Sequence, residues 1–223
     1  MSKTARTTVD DIKTRREEEI LETASKYFSE CGYSEADTQT LADRLGVGKG
    51  TIYRYFPSKR ELFLAAVDRS MQQLHEIVTD AIVGIEDPFD KIIKAIQAYL
   101  NFFLDRPEVV ELLIQERAHF KDRLKPTYFE HQERYVTRWQ EMFVNLITEG
   151  RVRNLPVERI TDFFSDLLYG TMFTNYFVGQ DKVITEQVKE IVDITLYGIL
   201  SDAERKRRKS QDDSQTIGIQ GTG

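Results

Sequence analysis

Residues 38–59, TQTLADRLGVGKGTIYRYFPSK, combine basic, hydroxyl-bearing and small side chains in one short stretch. Basic and amide side chains can contact guanine or adenine edges, and hydroxyls can donate to phosphate oxygens. Glycine lets the backbone approach a bound polymer closely. The residues proposed for such contacts are Thr38, Gln39, Lys49, Gly50, Thr51, Tyr53, Arg54, Tyr55 and Lys59. This set suits nucleic-acid recognition, and it offers no nucleophile with an adjacent base.

Two short helices must position these residues. Apolar spacing predicts one helix from Thr38 to Leu45 and a second from Lys49 to Tyr55, with Gly46 in the turn, where a positive φ is needed. This pattern is a helix-turn-helix whose second helix fits a major groove. The alternative is that KGTIYRYF is simply a buried aromatic helix. Phe56 is indeed predicted to lie in the core, but burial does not explain the polar residues opposite Ile52.

Helical spacing continues along nearly all of the chain, so we predict an all-α fold of about nine helices. A first helix carries Ile20, Ala24 and Phe28 and ends at Gly32, where a positive φ is favoured. A capping box, Ser58 to Glu61, starts a helix that ends near Gly84. Prolines mark four further starts. The predicted downstream helices cover 88–105, 107–121, 126–149, 156–178 and 183–200.

Composition limits the remaining functions. The net charge is −6, but residues 1–60 hold 11 Lys/Arg against 10 Asp/Glu, so an anionic partner would meet the N-terminal part. Cys31 is the only cysteine and histidine occurs 3 times, which predicts no disulfide, metal centre or cofactor. No signal peptide or membrane segment is apparent, so we expect a soluble, cytoplasmic protein. Glycine-rich phosphate loops, nucleophile elbows and HExxH motifs are absent, which argues against an enzyme.

The stretch TLADRLGVGKGTIYRYFPSKRELF, preceded by ILETASKYFSECGYSEADT, resembles the TetR family of bacterial transcriptional regulators. The resemblance is strong over residues 12–72. Leu41 stands where isoleucine is commoner, and Gly48 where serine is commoner, which removes one phosphate contact. The resemblance implies a double-stranded DNA operator, a homodimer and a small-molecule effector, with the protein on the nucleoid when bound.

The domain organisation expected from this resemblance has four parts. Residues 1–11 form a flexible arm, and residues 12–60 form the three-helix DNA-binding domain, which extends into the connecting helix to about residue 72. Residues 61–203 form a larger helical domain for ligand binding and dimerisation. Residues 204–223 form a charged, polar tail that we expect to be disordered.

Candidate residues of the larger domain follow from aromatic and apolar spacing. A pocket is predicted to involve Tyr99, Phe103, Glu116, Arg117, Phe120, Trp139, Phe143 and Phe173. Of these, the two charged residues are candidates to orient a ligand, Glu116 a cation and Arg117 an anion. Aromatics at helical spacing are also common in cores, and charged residues are usually solvated, so each has a plain alternative. A dimer interface is predicted at Phe164, Leu167, Leu168, Ile191 and Leu196. The helices that carry them could instead be central to a single subunit.

The leading hypothesis is a homodimeric repressor that a small, substantially apolar ligand releases from its operator. The alternative is a DNA-binding protein of the same type without an inducer, which acts on chromosome organisation or division. The two differ in their sites on DNA, since a repressor has few promoter sites and a chromosome organiser has many dispersed ones.

Overall fold

A computed structural model describes residues 2–179 and 183–198 of the 223-residue chain. The α-helices are α1 (Ser2–Glu35), α2 (Thr38–Arg44), α3 (Lys49–Tyr55), α4 (Lys59–Ala81), α5 (Pro88–Asp105), α6 (Pro107–His119), α7 (Thr127–Thr148), α8 (Val157–Val178) and α9 (Ile184–Val192). These ranges contain no strand, so the prediction of an all-α chain is confirmed. Among the same residues, no helix has both the length and the apolar character that crossing a membrane requires.

Proline, glycine and short polar side chains set the helix ends, much as predicted. The Asp87 carboxylate accepts hydrogen bonds from the backbone N–H groups of Phe89 and Asp90, at 2.8 and 3.2 Å, with Pro88 in the first turn of α5. Ser58 Oγ accepts from the Glu61 N–H at 3.1 Å at the start of α4. Such caps satisfy N–H groups that have no partner within the helix.

The N-terminal helix includes the segment predicted as a separate arm. The backbone of α1 is helical from Ser2, and the flexibility predicted for residues 1–11 stays a prediction. No glycine or proline occurs before Gly32, so nothing in the sequence interrupts the helix. Gly32 does interrupt it, since its φ of 80° and ψ of 154° are not helical. The predicted helix end at this glycine is thus confirmed.

The chain divides into two compact units, Met1–Asp181 and Lys182–Gly223. In the first unit, α1 packs on α4 and α6, α4 packs on α5 and α7, and both α5 and α7 pack on α8. Its core includes the fully buried side chains of Phe28, Leu62 and Phe63. The boundary predicted after residue 60 falls at the start of α4 and stays a prediction, because α4 packs on helices from both sides of it.

The second unit contains α9, which continues into a π-helical turn, Asp193–Tyr197. The predicted end of the last helix, at residues 199–200, lies outside the described residues. The predicted disordered tail, 204–223, lies outside them as well.

Candidate DNA interface and ligand cavity

The helix-turn-helix forms as its residue types predict. Leu41, Ala42 and Ile52 are buried between α2, α3 and the helices beneath them. Gly46 has a φ of 64°, the positive value expected for this turn. The turn is closed by a hydrogen bond from the Val47 N–H to the Ala42 carbonyl at 3.0 Å. One face of α3 is therefore fixed in the core, which leaves the other face free to contact a partner.

Asp37 caps α2 and also faces a basic residue of α3. Its carboxylate accepts a hydrogen bond from the Gln39 N–H at 3.1 Å and lies 3.5 Å from Lys49 Nζ. The Gln39 hydrogen bond, together with the nearby Lys49 ammonium, lowers the pKa of the Asp37 carboxyl below its usual value. Asp37 is thus charged near neutral pH, and it orients Lys49 at the start of α3.

The candidate DNA contacts fall into exposed and partly covered groups. Gln39, Gly50, Tyr53 and Arg54 are exposed, whereas Lys49, Thr51, Tyr55 and Lys59 are half-buried and Thr38 is buried. Thr38 Oγ1 lies 2.9 Å from Tyr53 Oη. The Arg54 guanidinium carbon lies 5.6 Å from the centre of the Tyr55 ring. Phe56 is 6% exposed, which confirms its predicted place in the core.

The two glycines near the start of α3 border open space. A Cβ atom built on Gly48 or Gly50 would meet no heavy atom within 4 Å. Neither glycine is therefore required by packing within the chain. Gly48 is also the N-cap of α3, with a φ of −75° and a ψ of 144°, and makes no side-chain cap hydrogen bond. These values are accessible to any residue, so the absence of a side chain here leaves room for a partner.

Lys59 has a structural role that sequence reasoning missed. Its Nζ donates to the carbonyls of Ser34 and Ala36 at 3.1 and 2.9 Å, and it lies 4.8 Å from the centre of the Tyr33 ring. The ammonium group thereby holds the segment between α1 and α2. Its proposed contact with DNA phosphate stays a prediction.

An aromatic cluster joins the N-terminal helices α1–α3 and the start of α4, together called the head, to the end of α6. The Tyr33 ring lies 5.2 Å from Phe63 and 4.8 Å from Phe120, centre to centre. Beside it, Arg60 Nη2 lies 2.5 Å from Asp122 Oδ2, and the Arg60 guanidinium lies 4.8 Å from the Phe120 ring centre. Phe120, proposed from the sequence as a pocket residue, thus packs against Tyr33 of α1 and Phe63 of α4.

A cavity of about 150 Å³ lies among α4, α5, α7 and α8. It is lined by Val78, Ile92, Ala95, Ile96, Tyr99, Trp139, Phe143, Thr161, Phe164, Ser165 and Leu168. Three of the eight proposed pocket residues, Tyr99, Trp139 and Phe143, line it. The aliphatic lining residues escaped prediction, because their types do not distinguish a cavity wall from a filled core.

The remaining proposed pocket residues lie elsewhere. Phe103 is buried with its ring 5.0 Å from that of Tyr99, and Phe173 lies between Tyr169 and Phe177 on α8. Arg117 is exposed. None of these three is among the residues that line the cavity.

Glu116 is buried, 1% exposed, although it lies in a charged stretch that sequence reasoning treats as solvated. Its Oε1 accepts hydrogen bonds from the Thr127 N–H at 3.0 Å and the Thr127 hydroxyl at 2.7 Å. Arg123 Nη1 lies 3.5 Å from the same oxygen. Glu116 thus anchors the start of α7 to α6, and it is not among the cavity-lining residues. Its buried charge is compensated by these partners.

Two tyrosines pair beside the cavity. Tyr99 Oη and Tyr128 Oη lie 2.9 Å apart. Burial raises the pKa of Tyr128 to about 12, and burial raises the pKa of Tyr99 as well. Both phenols are therefore neutral at physiological pH, and they bring no charge to the cavity.

The proposed dimer residues are all half-buried in the single chain: Phe164, Leu167 and Leu168 on α8, Ile191 on α9, and Leu196 in the π-helical turn. Phe164 and Leu168 line the cavity. The most exposed apolar residues of α8 are instead Phe163, Phe177 and Val178, at 56%, 66% and 80%. The proposed interface stays a prediction.

Comparison with known proteins extends the likeness beyond the helix-turn-helix. The family model described as bacterial regulatory proteins, tetR family, matches residues 20–66. The chain is 31% identical over 140 residues to the nucleoid occlusion factor SlmA of Glaesserella parasuis, covering 62% of this chain and 67% of that protein. It is 25% identical over 179 residues to the transcriptional repressor AcnR of Corynebacterium diphtheriae, covering 80% and 90%.

Two further proteins match this chain over very different shares of its length. The match to the transcriptional activator FasR of Mycolicibacterium smegmatis is 34% identical over 87 residues but spans only 39% of this chain and 40% of that protein. The solved structure of the regulator FadR from Bacillus subtilis, in complex with stearoyl-CoA, matches with a TM-score of 0.69 at 18% identity, covering 81% of this chain and 98% of that one. The fold, the helix-turn-helix geometry and these relatives agree: the chain belongs to the TetR family of bacterial transcriptional regulators.

Proposed function

We propose that the protein is a homodimeric repressor that leaves its operator when a small, substantially apolar molecule binds its C-terminal domain. The observation that carries this proposal is the course of α4. The helix begins beside the DNA-binding head at Lys59, and Val78, near its other end, lines the cavity. A ligand in the cavity therefore contacts a helix that is continuous with the head.

Charge supports DNA as the partner of the head. Residues 37–60 carry five Lys/Arg and two Asp/Glu, although the whole chain has a net charge of −6. Positive charge concentrated on the recognition segment of an acidic protein directs a polyanion to that segment. Arg54→Ala should weaken specific binding by about 1–3 kcal/mol and relax the preference at one operator position if Arg54 contacts a base.

Exposed apolar surface supports a dimer. Phe163, Phe177 and Val178 are all exposed on α8, and such side chains are commonly covered in a subunit interface. Two recognition helices about 34–36 Å apart would read successive major grooves. Sedimentation of the wild type should give a dimer, and Phe177→Glu should shift it towards monomer. Unchanged sedimentation of this variant would argue against the α8 face.

Release from DNA by a ligand requires that the ligand bind the two conformations of the protein with different affinities. A ligand shifts the population only if it binds the released conformation more tightly than the DNA-bound one. The FadR structure was solved with stearoyl-CoA, and AcnR is named a repressor, so ligand binding and repression both occur among similar proteins. These precedents favour a repressor with an effector; no catalytic role is proposed.

The test is fluorescence anisotropy with DNA from upstream of the protein's own gene, titrated at two salt concentrations against scrambled competitor. Saturable binding that survives the competitor, and that a cavity-binding compound weakens, would support the proposal. Operator affinity that is equal with and without every such compound would contradict it.

The SlmA similarity favours a second candidate, a DNA-binding protein without an inducer that acts on chromosome organisation or division. A genome-wide footprint separates the two functions. Few sites, concentrated at promoters, would support the repressor, and many dispersed sites would support the second candidate.

A further inference from the structure

We propose that the cavity binds a small uncharged molecule, about the size of a single aromatic ring, that carries one hydrogen-bond acceptor. This inference rests on the proposed function, because it names the class of the effector. It follows from three properties of the cavity: its charge, its free hydrogen-bond donors and its volume.

Charge is absent from the cavity wall. The eleven lining residues, contributed by α4, α5, α7 and α8, include no aspartate, glutamate, lysine, arginine or histidine. An ionised carboxylate or ammonium that entered would lose its hydration without gaining a partner of opposite charge. Glu116 and Arg117, the charged residues proposed from the sequence to orient a ligand, are not in this wall. The cavity therefore selects against ions of either sign.

Two of the polar side chains in the wall already have partners. Thr161 Oγ1 donates to carbonyls of its own helix, at 3.3 Å to Val157 and 3.0 Å to Glu158. Tyr99 Oη is paired with Tyr128 Oη at 2.9 Å. Neither hydroxyl can donate to a ligand without giving up an acceptor within the protein, which for Tyr99 is Tyr128 Oη or Met172 Sδ at 3.9 Å.

Ser165 provides the remaining hydroxyl. Within the described ranges its side chain makes no hydrogen bond, and neither does the indole N–H of Trp139, which also lines the cavity. A hydroxyl without a partner in an apolar wall favours a ligand that presents a carbonyl, ether or hydroxyl oxygen to it. The site thus has few polar groups, and two of them, the Ser165 hydroxyl and the Trp139 indole N–H, are free to donate to a ligand.

Volume sets the size of the ligand. The cavity measures about 150 Å³. An engineered apolar cavity of about this volume in another protein binds benzene. One ring with a small substituent therefore matches this cavity. The charged coenzyme of a ligand such as the stearoyl-CoA bound to FadR would meet no group of opposite charge in this wall.

Trp139 makes the inference directly measurable, because it is the only tryptophan in the chain and lies in the cavity wall. Methyl benzoate and benzoate differ mainly in charge, and toluene lacks the oxygen acceptor. We expect methyl benzoate to change Trp139 fluorescence saturably, with benzoate binding at least about tenfold more weakly. Quenching of free N-acetyltryptophanamide at the same concentrations corrects for collisional effects.

Two variants locate the binding. Ser165→Ala should weaken methyl benzoate about twofold to tenfold and leave toluene unchanged, since one hydrogen bond is lost. Ala95→Leu should fill the cavity and abolish binding of both. Its matched control is Ala118→Leu, at an exposed position on α6. Circular dichroism establishes that each variant is folded, and the comparison of methyl benzoate with benzoate on the wild type needs no variant.

The outcomes separate this inference from the proposed function. Benzoate or stearoyl-CoA binding as tightly as methyl benzoate, or no binding by either neutral compound, would overturn the inference. Release of operator DNA by stearoyl-CoA alone would overturn it while supporting a ligand-released repressor. Tight methyl benzoate binding that leaves operator affinity unchanged would support it and count against release by ligand.

Discussion

Thr38 Oγ1 and Tyr53 Oη lie 2.9 Å apart, so the first residue of α2 is hydrogen-bonded to an exposed ring in the middle of α3. The two helices are thus joined by a partly buried pair of hydroxyls, in addition to their apolar contacts. Whichever hydroxyl accepts this bond keeps its own hydrogen, which it can donate to a phosphate oxygen. The bond therefore sets the position of Tyr53 before DNA arrives.

Tyr53→Phe should lower the free energy of unfolding by about 1 kcal/mol and weaken DNA binding, because the hydroxyl pair is lost. Thr38→Val should do the same, and the double variant should cost less than the sum of the two. Chemical denaturation and anisotropy measure the two effects. Tyr55→Phe is the control for the stability measurement, since its hydroxyl has no hydrogen bond within the described residues. Strict additivity would show that the hydroxyls act independently.

Gly50→Ala should raise the stability of the protein and lower its affinity for operator DNA. The added methyl group meets open space within the chain and favours the helix, so the protein should gain up to about 1 kcal/mol of stability. The same methyl group should obstruct the DNA backbone and reduce operator affinity. Gly48→Ser, which adds a cap to α3 and a donor for phosphate, should raise both quantities modestly. Unchanged operator affinity in Gly50→Ala would place this turn of α3 away from DNA.

Lys59→Ala should destabilise the fold by about 1–2 kcal/mol, because the carbonyls of Ser34 and Ala36 lose a charged donor. Its effect on DNA binding should be similar for all sequences, with a salt dependence flatter by about one unit if it contacts phosphate. Lys49→Ala should change DNA affinity with little change in melting temperature, because its ion pair with Asp37 is exposed. Equal melting temperatures of the two variants would contradict the proposal that Lys59 stabilises the segment between α1 and α2.

Glu116→Ala should destabilise the protein by about 2–3 kcal/mol, since the Thr127 N–H and hydroxyl would be left buried without an acceptor. Glu116→Gln keeps an acceptor oxygen and should cost less. Thermal denaturation of both, beside Glu141→Ala at an exposed position on α7, measures the difference. A loss of ligand binding without loss of stability would instead assign Glu116 to the ligand site.

Asp68 on α4 should give the stability a dependence on acid pH. Its Oδ1 lies 2.7 Å from Nε2 of buried His131 on α7, and this hydrogen bond lowers the pKa of the Asp68 carboxyl from 3.8. Because the folded pKa lies below the unfolded one, the contribution is present above about pH 4 and is lost as the pH falls through the folded pKa. At neutral pH the Asp68→Asn variant should therefore be less stable than the wild type. The difference between their free energies of unfolding should disappear as the pH falls. Asp80→Asn, at an exposed site on α4, is the control, and a deficit that stays constant down to pH 2 would contradict the pairing.

The helix ends and the recognition segment were accessible from sequence because their causes are local. Pro88, Gly46 and the Ser58 cap act within a few residues of themselves. The hydrogen bonds of Lys59 to the segment between α1 and α2 could not be predicted, since the acceptors are backbone carbonyls more than twenty positions away. Glu116 had the same difficulty, because a charge in a charged stretch carries no sign of burial. The cavity wall depends on packing among four helices, so Val78 and Ala95 gave no signal.

Because α4 runs without interruption from Lys59 to Ala81, a small rotation at one end produces a larger displacement at the other. From Lys59 to Val78 the helix measures roughly 28 Å at a rise of about 1.5 Å per residue. A rotation of about 5° around the Val78 end moves Lys59 by about 2.5 Å, which exceeds the tolerance of a hydrogen bond to phosphate. If the proposed effector acts through α4, a molecule one ring in size need only tilt this helix slightly to move α3 out of register with the groove that it is proposed to read.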